Sequence, residues 1–262
     1  MSEGFIFDQP YARRFVEARQ DWLRKVLPEL KQARNLQTAI DVGCGVGHFS
    51  GFLGDLGFQV VGVDGRNQNV EEARRRRPEV EFHCLDVQDS ALQELGSFDL
   101  VLCFGLLYHL ENPLLAFRNF AALAGEVMLV EAICVPGNQP YFLLRDEPPF
   151  EDQSLTPLAL YPSESALIKA AYRVGFQFVW QTTSFPEHED FVESASRKRF
   201  RTIVAASRIP LKSSFFELSE EPQESFDPWL TRRAEIKHRI AGFSQLPWRD
   251  KLRVLQRKLS LS

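Results

Sequence analysis

Three aspartates recur at nearly equal spacing in the first third of the chain, and each ends a short apolar run. Asp41, Asp64 and Asp86 are separated by 23 and 22 residues. A carboxylate accepts hydrogen bonds from hydroxyl and amino groups, and open parallel sheets bind ligands at the carboxyl ends of their strands. If each aspartate ends one strand, all three lie at the same edge of a sheet. The spacing therefore predicts a ligand site at that edge.

A glycine-rich turn follows the first aspartate. The stretch Asp41-Val42-Gly43-Cys44-Gly45-Val46-Gly47 joins an apolar run to a helix-like segment. Glycines let the backbone approach a ligand closely, and the start of a helix offers unpaired N–H groups. The spacing differs from the G-x-G-x-x-G of dinucleotide sites. Asp41 would repel a pyrophosphate but can accept hydrogen bonds from an amine, which favours S-adenosylmethionine (SAM) over NAD.

The other two aspartates suit the two halves of a nucleoside. Asp64, which is followed by Gly65, ends the second predicted strand, where an acid can accept hydrogen bonds from both ribose hydroxyls. Asp86 ends the third predicted strand and can accept one from the exocyclic amine of adenine, with Val87 in apolar contact. Both positions support the choice of SAM.

The elements that must position these residues show a strand–helix alternation between residues 38 and 208. This alternation predicts an α/β fold with a mostly parallel sheet and helices on both faces. The predicted strands are Thr38–Val42, Gln59–Val63, Glu81–Leu85, Phe98–Cys103, Glu126–Glu131, Phe176–Trp180 and Thr202–Ala206. The predicted helices between them are His48–Leu56, Asn67–Arg76, Ala91–Leu95, Pro113–Ala122 and Ser163–Val174.

Taken together, these motifs resemble those of class I SAM-dependent methyltransferases over roughly Thr38–Glu131, and over about 38–208 in strand order. Within the class, Cys103–Pro113 (CFGLLYHLENP) resembles members that modify small molecules or the tRNA wobble uridine. The resemblance implies a Rossmann-like sheet of seven strands with the seventh antiparallel. It also implies the cofactor contacts: Gly43, Cys44 and Gly45 under SAM, Asp64 at the ribose, Asp86 and Val87 at adenine, and Phe104 beside the methionine part.

Four further residues are candidates for catalysis or for binding the cofactor. Tyr108 and His109 follow the fourth strand, where this family places groups that face the substrate. His109 could take a proton from an attacking hydroxyl or amine, or it could only pack beneath the site. Glu131 ends the fifth strand and is either catalytic or a loop-fixing acid. Arg14 is a candidate for the SAM carboxylate if the N-terminal helix caps the pocket, and otherwise a solvated helix residue.

The chain divides into three predicted parts. Residues 1–37 form an N-terminal helical cap, with a helix over Tyr11–Ala33 that Pro28 ends or kinks. Residues 38–208 form the SAM-binding domain. Within it, the proline-rich and acidic residues 135–161 are predicted to form a loop or lid over the pocket.

The third part, residues 209–262, is a predicted helical tail. Residues 228–262 carry nine basic side chains against Glu235 and Asp250, a net charge of +7. An apolar stripe with basic residues beside it predicts an amphipathic helix over Trp248–Leu259. The stripe consists of Trp248, Leu252, Leu255 and Leu259.

Composition excludes several classes of protein. The 262 residues are 44% hydrophobic and 25% charged, which excludes a disordered or fibrous chain. The uncharged run Leu100–Leu110 and even longer ones such as Ala132–Leu144 are far shorter than the ~20 residues that span a bilayer. A net charge of −4 argues against general nucleic-acid binding. The four cysteines lack C-x-x-C spacing, so reduced thiols and no metal site are expected. The start lacks a signal-peptide pattern, and a cytoplasmic protein is therefore expected.

The expected function is methyl transfer from SAM to an oxygen or nitrogen of a small metabolite or saccharide precursor, with S-adenosylhomocysteine (SAH) as the product. Two alternatives stay open. The basic tail and the CFGLLYHLENP stretch would also fit an RNA-modifying enzyme. A scaffold protein that binds SAM without turning it over is the third candidate, and association into a homo-oligomer is compatible with all three.

Overall fold

A computed structural model of the protein describes residues 5–147, 153–191 and 200–223. All of these except Gln223 belong to one compact unit that ends at Pro222. The predicted amphipathic helix Trp248–Leu259 lies outside the described residues. The described start of the predicted helical tail contains a strand instead, which adds to the main sheet.

The described residues form ten strands. In chain order β1 to β10 are Thr38–Val42, Gln59–Asp64, Glu81–Cys84, Phe98–Phe104, Ala124–Cys134, Phe142–Asp146, Leu158–Pro162, Phe178–Thr182, Phe200–Ser207 and Phe216–Ser219. Eight of them make one sheet in the order β10-β8-β9-β5-β4-β1-β2-β3. Strands β1 to β5 run parallel, and β9 pairs antiparallel with both β5 and β8. The predicted antiparallel last strand of the common core is thereby confirmed.

The sheet has eight strands in the described residues rather than the predicted seven. The additional strand is β10, which pairs antiparallel with β8 from Phe216 opposite Thr182 to Ser219 opposite Val179. Without it, β8 would be an edge strand with unpaired backbone N–H and C=O groups. Phe216 is 7% exposed and packs into the core, so apolar burial holds β10 against this edge.

Five α-helices cover the sheet: α1 (Pro10–Arg34), α2 (His48–Asp55), α3 (Asn67–Arg76), α4 (Pro113–Leu123) and α5 (Glu164–Arg173). Helices α1 and α2 pack on one face of the sheet, and α4 and α5 pack on the other. Pro28 does not end α1. A proline inside a helix costs about 3 kcal/mol, but Leu27 and Leu30 beside it are almost fully buried, at about 1.5–3 kcal/mol each. None of the described helices is long and apolar enough to span a membrane.

The described parts of the predicted lid, residues 135–161, contain two paired strands rather than only a loop. Strands β6 and β7 pair antiparallel from Phe142 opposite Pro162 to Asp146 opposite Leu158. Strand β7 buries Ala159 and Tyr161 in the core, while most of β6 is exposed. This ribbon brings the segments that flank it, at Glu147 and at residues 153–156, beside the ligand edge of the sheet.

Candidate active site

Two cavities adjoin at the carboxyl edge of the parallel strands. The main cavity has a volume of about 310 Å³ and the side cavity about 40 Å³. Six of the predicted site residues line the main cavity: Gly43, Cys44, Asp64, Phe104, Tyr108 and His109. Gly65, Asp86 and Val87 line the side cavity, together with Gly43, Asp64 and His109. The fold therefore assembles most of the predicted residues in one place.

The glycine turn has backbone dihedral angles that other residue types adopt only with strain. Gly43 and Gly45 have φ angles of +76° and +54°. A Cβ on Gly43 would lie 2.9 Å from the Leu106 side chain, and one on Gly45 would lie 2.9 Å from the ring of Phe7. Both positions therefore favour glycine for conformation and for space. Gly45 does not line either cavity, but its N–H donates to Asp64 Oδ2 at 2.9 Å.

The Asp64 carboxylate is held in place by three donors. Besides Gly45, the Arg66 N–H and Asn69 Nδ2 donate to Oδ1 at 2.9 and 3.0 Å. A carboxylate has about four acceptor positions, so Asp64 keeps acceptor capacity while it lines both cavities. Sequence reasoning missed Asn69, which lies in the first turn of α3, five residues after Asp64.

The side cavity is a narrow slot closed by the insertion. Asp86 Oδ1 accepts from the Gln88 N–H at 2.9 Å at its floor. Residues 153–156 form the opposite wall, and a Cβ on Gly65 would lie 2.7 Å from Leu155 Cδ1. Arg66 Nη2 also donates to the Ser154 carbonyl at 2.5 Å. Contacts with the insertion therefore set the width of this slot.

Asp41 lies behind the glycine turn and is not among the residues that line the cavities. Its side chain is 2% exposed and accepts a hydrogen bond from Ser50 Oγ at 2.6 Å. Burial raises the pKa of Asp41 to about 7, against the opposing effect of the Ser50 hydrogen bond. The structure thus places this carboxylate against Ser50 of α2 rather than in a cavity, where it connects β1 with α2.

Glu131 lies between two arginines. Its Oε2 accepts from Arg19 Nη1 at 3.0 Å and its Oε1 accepts from Arg201 Nη1 at 2.7 Å. The side chain is fully buried and does not line either cavity. Both carboxylate oxygens are engaged by guanidinium groups and neither faces a cavity, so the geometry argues against the predicted catalytic role. Its evident effect is to hold both arginines in place.

Both arginines line the main cavity. The guanidinium carbons of Arg19 and Arg201 lie 3.9 and 4.4 Å from the ring centroid of Phe15. Burial lowers the pKa of Arg19, and the charge of Glu131 opposes that change. Arg201 Nη1 also donates to Tyr108 Oη at 3.1 Å. Burial raises the pKa of Tyr108, so it is a neutral phenol at physiological pH.

Arg14, the predicted partner of the SAM carboxylate, lies away from the main cavity. It is exposed and lines a separate cavity on the outer side of α1 with Glu17, Asp21 and Glu187. Arg19 was missed, although a signal for it exists in the sequence. It follows Phe15 by four residues and so lies on the apolar face of the helix, where an unpaired arginine would be costly.

His109 ends a 3-10 turn, Leu107–His109, that follows β4. It lines both cavities, and its Nδ1 lies 2.5 Å from Glu147 Oε1. Glu147 follows β6 and is contributed by the insertion. Because it falls in the predicted lid, sequence reasoning did not assign it a role. In the residues that the structure describes, no cluster of His, Cys, Asp or Glu could hold a metal ion.

Known proteins share this architecture. Residues 40–124 match a family profile described as a methyltransferase domain. The N-terminal domain of EvdMO1, solved with SAH bound, is similar at 19% identity and a TM-score of 0.58, over 78% of this chain and 85% of that one. The chain therefore has the class I methyltransferase fold. Magnesium protoporphyrin IX methyltransferase of Synechocystis, solved with SAM bound, matches this domain at 21% identity and a TM-score of 0.53, over 79% and 87% of the two chains.

Curated relatives of the methyltransferase domain differ in their acceptors. A tRNA U34 carboxymethyltransferase of Shewanella woodyi is 27% identical over 229 residues, 79% of this chain and 68% of the relative. A ubiquinone biosynthesis O-methyltransferase of Bordetella avium is 30% identical over 109 residues, 40% and 44% of the two chains. The chain spans about half the length of other tRNA U34 carboxymethyltransferases, such as the 51% matched in Aliivibrio salmonicida. The domain is common to these relatives, and the acceptor is not.

Proposed function

We propose that this domain binds SAM and transfers its methyl group to an oxygen or nitrogen of a small molecule. The observation that carries the proposal is the Asp64 carboxylate, which the Gly45 N–H fixes at the end of β2 beside the glycine turn. When bound, SAM supplies an electrophilic methyl group on a sulfonium. The protein then has to bind, align and deprotonate the reactants.

The polar groups around the two cavities fit a nucleoside that carries an amino-acid part. Asp64 offers acceptors for ribose hydroxyls, and Asp86 and Val87 in the side cavity suit the amine and ring of adenine. Arg19 lines the main cavity and offers a cation for a carboxylate. Its guanidinium group lies close to the backbone after β4, since a Cβ placed on Gly105 would be 3.1 Å from Arg19 Nη1. These three groups, one acceptor for the ribose, one for adenine and one cation for the carboxylate, support SAM as the ligand.

His109 is the proposed general base. It lines both cavities, and so lies where the acceptor and the nucleoside meet. A neutral imidazole can accept a proton near physiological pH. Tyr108, held by Arg201, is proposed to orient the acceptor through its hydroxyl group.

A small acceptor is favoured by the walls of the main cavity. Helix α1 contributes Tyr11 and Phe15 on one side, and the insertion contributes Gln153 on the other. Tyr11 donates to Asp190 Oδ2 at 2.6 Å, which connects α1 with the loop after β8. An acceptor has to fit between these elements, and this supports a small molecule over a large one.

The test is to incubate the purified protein with SAM labelled in the methyl group and to offer it a metabolite extract or bulk tRNA. Label in the low-mass fraction, with formation of SAH, is the expected result. Label confined to tRNA would overturn the small-molecule proposal. SAM binding by calorimetry without any SAH would instead favour a scaffold protein.

RNA modification is the second candidate. Similarity to the tRNA U34 carboxymethyltransferase of Shewanella woodyi, which extends over 79% of this chain, supports it. The net charge of +7 in residues 228–262, which the structure does not describe, would suit a polyanion. If RNA is the acceptor, deletion of these residues should abolish labelling of tRNA and reduce the salt dependence of its binding.

A further inference from the structure

We propose that Glu147 is the positioning residue for His109. Its carboxylate accepts the proton on Nδ1 and leaves Nε2 unprotonated toward the cavity, ready to take a proton from the acceptor. The inference rests on the proposed role of His109 as the base. The insertion then has two roles: residues 153–156 line the side cavity, and Glu147 orients the proposed base.

The contact between the two side chains is short and almost completely buried. His109 Nδ1 lies 2.5 Å from Glu147 Oε1. The two side chains are 10% and 1% exposed. A hydrogen bond to a carboxylate is roughly twice as strong as one between neutral groups, and the loss of water strengthens it further. The ring is thereby fixed by a group 38 residues away in the sequence.

Glu147 is itself held by the backbone of the insertion. Its N–H donates to the Pro157 carbonyl at 2.9 Å, and the Gln153 N–H donates to Oε1 at 3.3 Å. Its Oε2 is buried and has no hydrogen-bond partner among the described residues. A buried carboxylate is costly unless a donor satisfies it, so the Nδ1–H group of His109 is the donor that Glu147 most requires.

Seven other charged side chains line the two cavities beside the ring: Arg19, Arg66, Arg201, Asp64, Asp86, Glu111 and Asp190. Within the described ranges, none of them forms a hydrogen bond with the imidazole, and Tyr108 contacts it only through the rings, at 4.3 Å between centroids. Glu147 is therefore the described carboxylate that selects the tautomer.

Selection of the tautomer is what a general base needs. A neutral imidazole carries its one proton on either nitrogen, and only the form protonated on Nδ1 has Nε2 free to accept. A carboxylate can only accept, so it enforces this form. Leucine at position 147 can neither accept nor donate, so Glu147→Leu removes the acceptor that holds the proton on Nδ1 and frees the imidazole to carry it on Nε2, which blocks the base.

The direct test is NMR on protein labelled with ¹⁵N-histidine, at alkaline pH where a free imidazole is neutral. The chain has five histidines, and the signals missing from His109→Ala assign His109. We expect Nδ1–H in the wild-type protein and a shift of the proton toward Nε2 in Glu147→Leu. The matched control is Asp146→Leu, which removes an exposed carboxylate one residue away and should leave the tautomer unchanged.

Wild-type His109 protonated on Nε2, or an unchanged tautomer in Glu147→Leu, would overturn the proposal. Neither cofactor nor acceptor is needed, so this result is independent of whether the domain transfers a methyl group. If Glu147→Leu does not fold, as circular dichroism would show, the wild-type tautomer still decides. Once an acceptor is known, Glu147→Leu should lower kcat at least tenfold with unchanged KM for SAM, and Glu147→Asp should retain part of the wild-type rate.

Discussion

Arg19 and Glu131 form a buried ion pair between the first helix and the fifth strand. Arg19 Nη1 donates to Glu131 Oε2 at 3.0 Å although the residues are 112 positions apart, and their side chains are 7% and 0% exposed. The pair places a guanidinium group on the wall of the main cavity. It thereby connects the packing of α1 with the chemistry of the site.

Replacement of Glu131 by alanine should destabilise the protein strongly. Loss of Glu131 leaves Arg19 buried without its counter-ion and leaves Arg201 with Asp190 alone, 3.5 Å from its Nε; breaking a buried pair in this way typically costs about 3–5 kcal/mol. We expect the melting temperature to fall by roughly 6–20 °C in calorimetry. Glu126→Ala is the control on the same strand, because Glu126 is 35% exposed and pairs with Arg34 at 3.7 Å, a contact worth about 0–1 kcal/mol. Equal losses in the two variants would show that the buried pair is not special.

The variant Asp64→Asn should bind SAM about ten- to a hundredfold more weakly. The amide would lose the charged acceptor and would turn a donor toward the N–H groups of Gly45 or Arg66, at about 1.5–3 kcal/mol. Isothermal titration calorimetry measures the change. Asp55→Asn alters an exposed aspartate at the end of α2 and should bind normally. Unchanged affinity in Asp64→Asn would remove the ribose assignment.

The two candidate arginines on α1 should respond differently to replacement by lysine. Arg19→Lys should weaken SAM binding about tenfold, because lysine cannot form the two-pronged contact that a guanidinium offers to a carboxylate. Arg14→Lys should leave binding unchanged, since Arg14 is exposed and lines another cavity. The reverse order of effects in a binding titration would restore Arg14 as the cofactor residue.

Asp41 should make the fold less stable as the pH rises. Its pKa is raised by burial to about 7 from the model-compound value of 3.8, so the folded state binds a proton more tightly than the unfolded state. Stability therefore falls between pH 3.8 and about 7, by on the order of 2–4 kcal/mol. Asp41→Asn keeps an acceptor for Ser50 and carries no charge.

The expected result is that Asp41→Asn loses less melting temperature than the wild-type protein between pH 5 and pH 8. Differential scanning fluorimetry over this range measures it. Other groups titrate in both proteins, so the difference between the two curves is the quantity of interest. Parallel curves would mean that Asp41 is charged in the folded state throughout.

Removal of the His109 side chain should affect turnover more than binding. Loss of a general base typically lowers the rate by 10²–10⁴, while SAM affinity in His109→Ala should stay within a few-fold of wild type. His83→Ala is the control, because His83 lies on β3, pairs with Glu81 and lines neither cavity. Full turnover in His109→Ala would leave His109 as a packing residue.

Local sequence pattern was sufficient to predict the glycine turn and the strand ends at the candidate site. The turn from Gly43 to Gly47 joins β1 to α2, and Asp64 ends β2 as the pattern predicted. These features are readable because the residues that form them are neighbours in the chain. Strand ends and helix starts depend on hydrophobic period and glycine placement, which short windows of sequence contain. Parallel pairing then brings the strand ends to one edge.

Tertiary structure alone decided which charged groups serve the site and how. Arg19 rather than Arg14 lines the main cavity, Glu131 is neutralised by two arginines, and Glu147 reaches His109 from the insertion. Strand β10 likewise joins β8 from a segment predicted to be helical. Each of these contacts connects residues that are 34 to 112 positions apart. Such pairings depend on how the helices and the insertion pack against the sheet, and the burial that makes them strong exists only once that packing has formed.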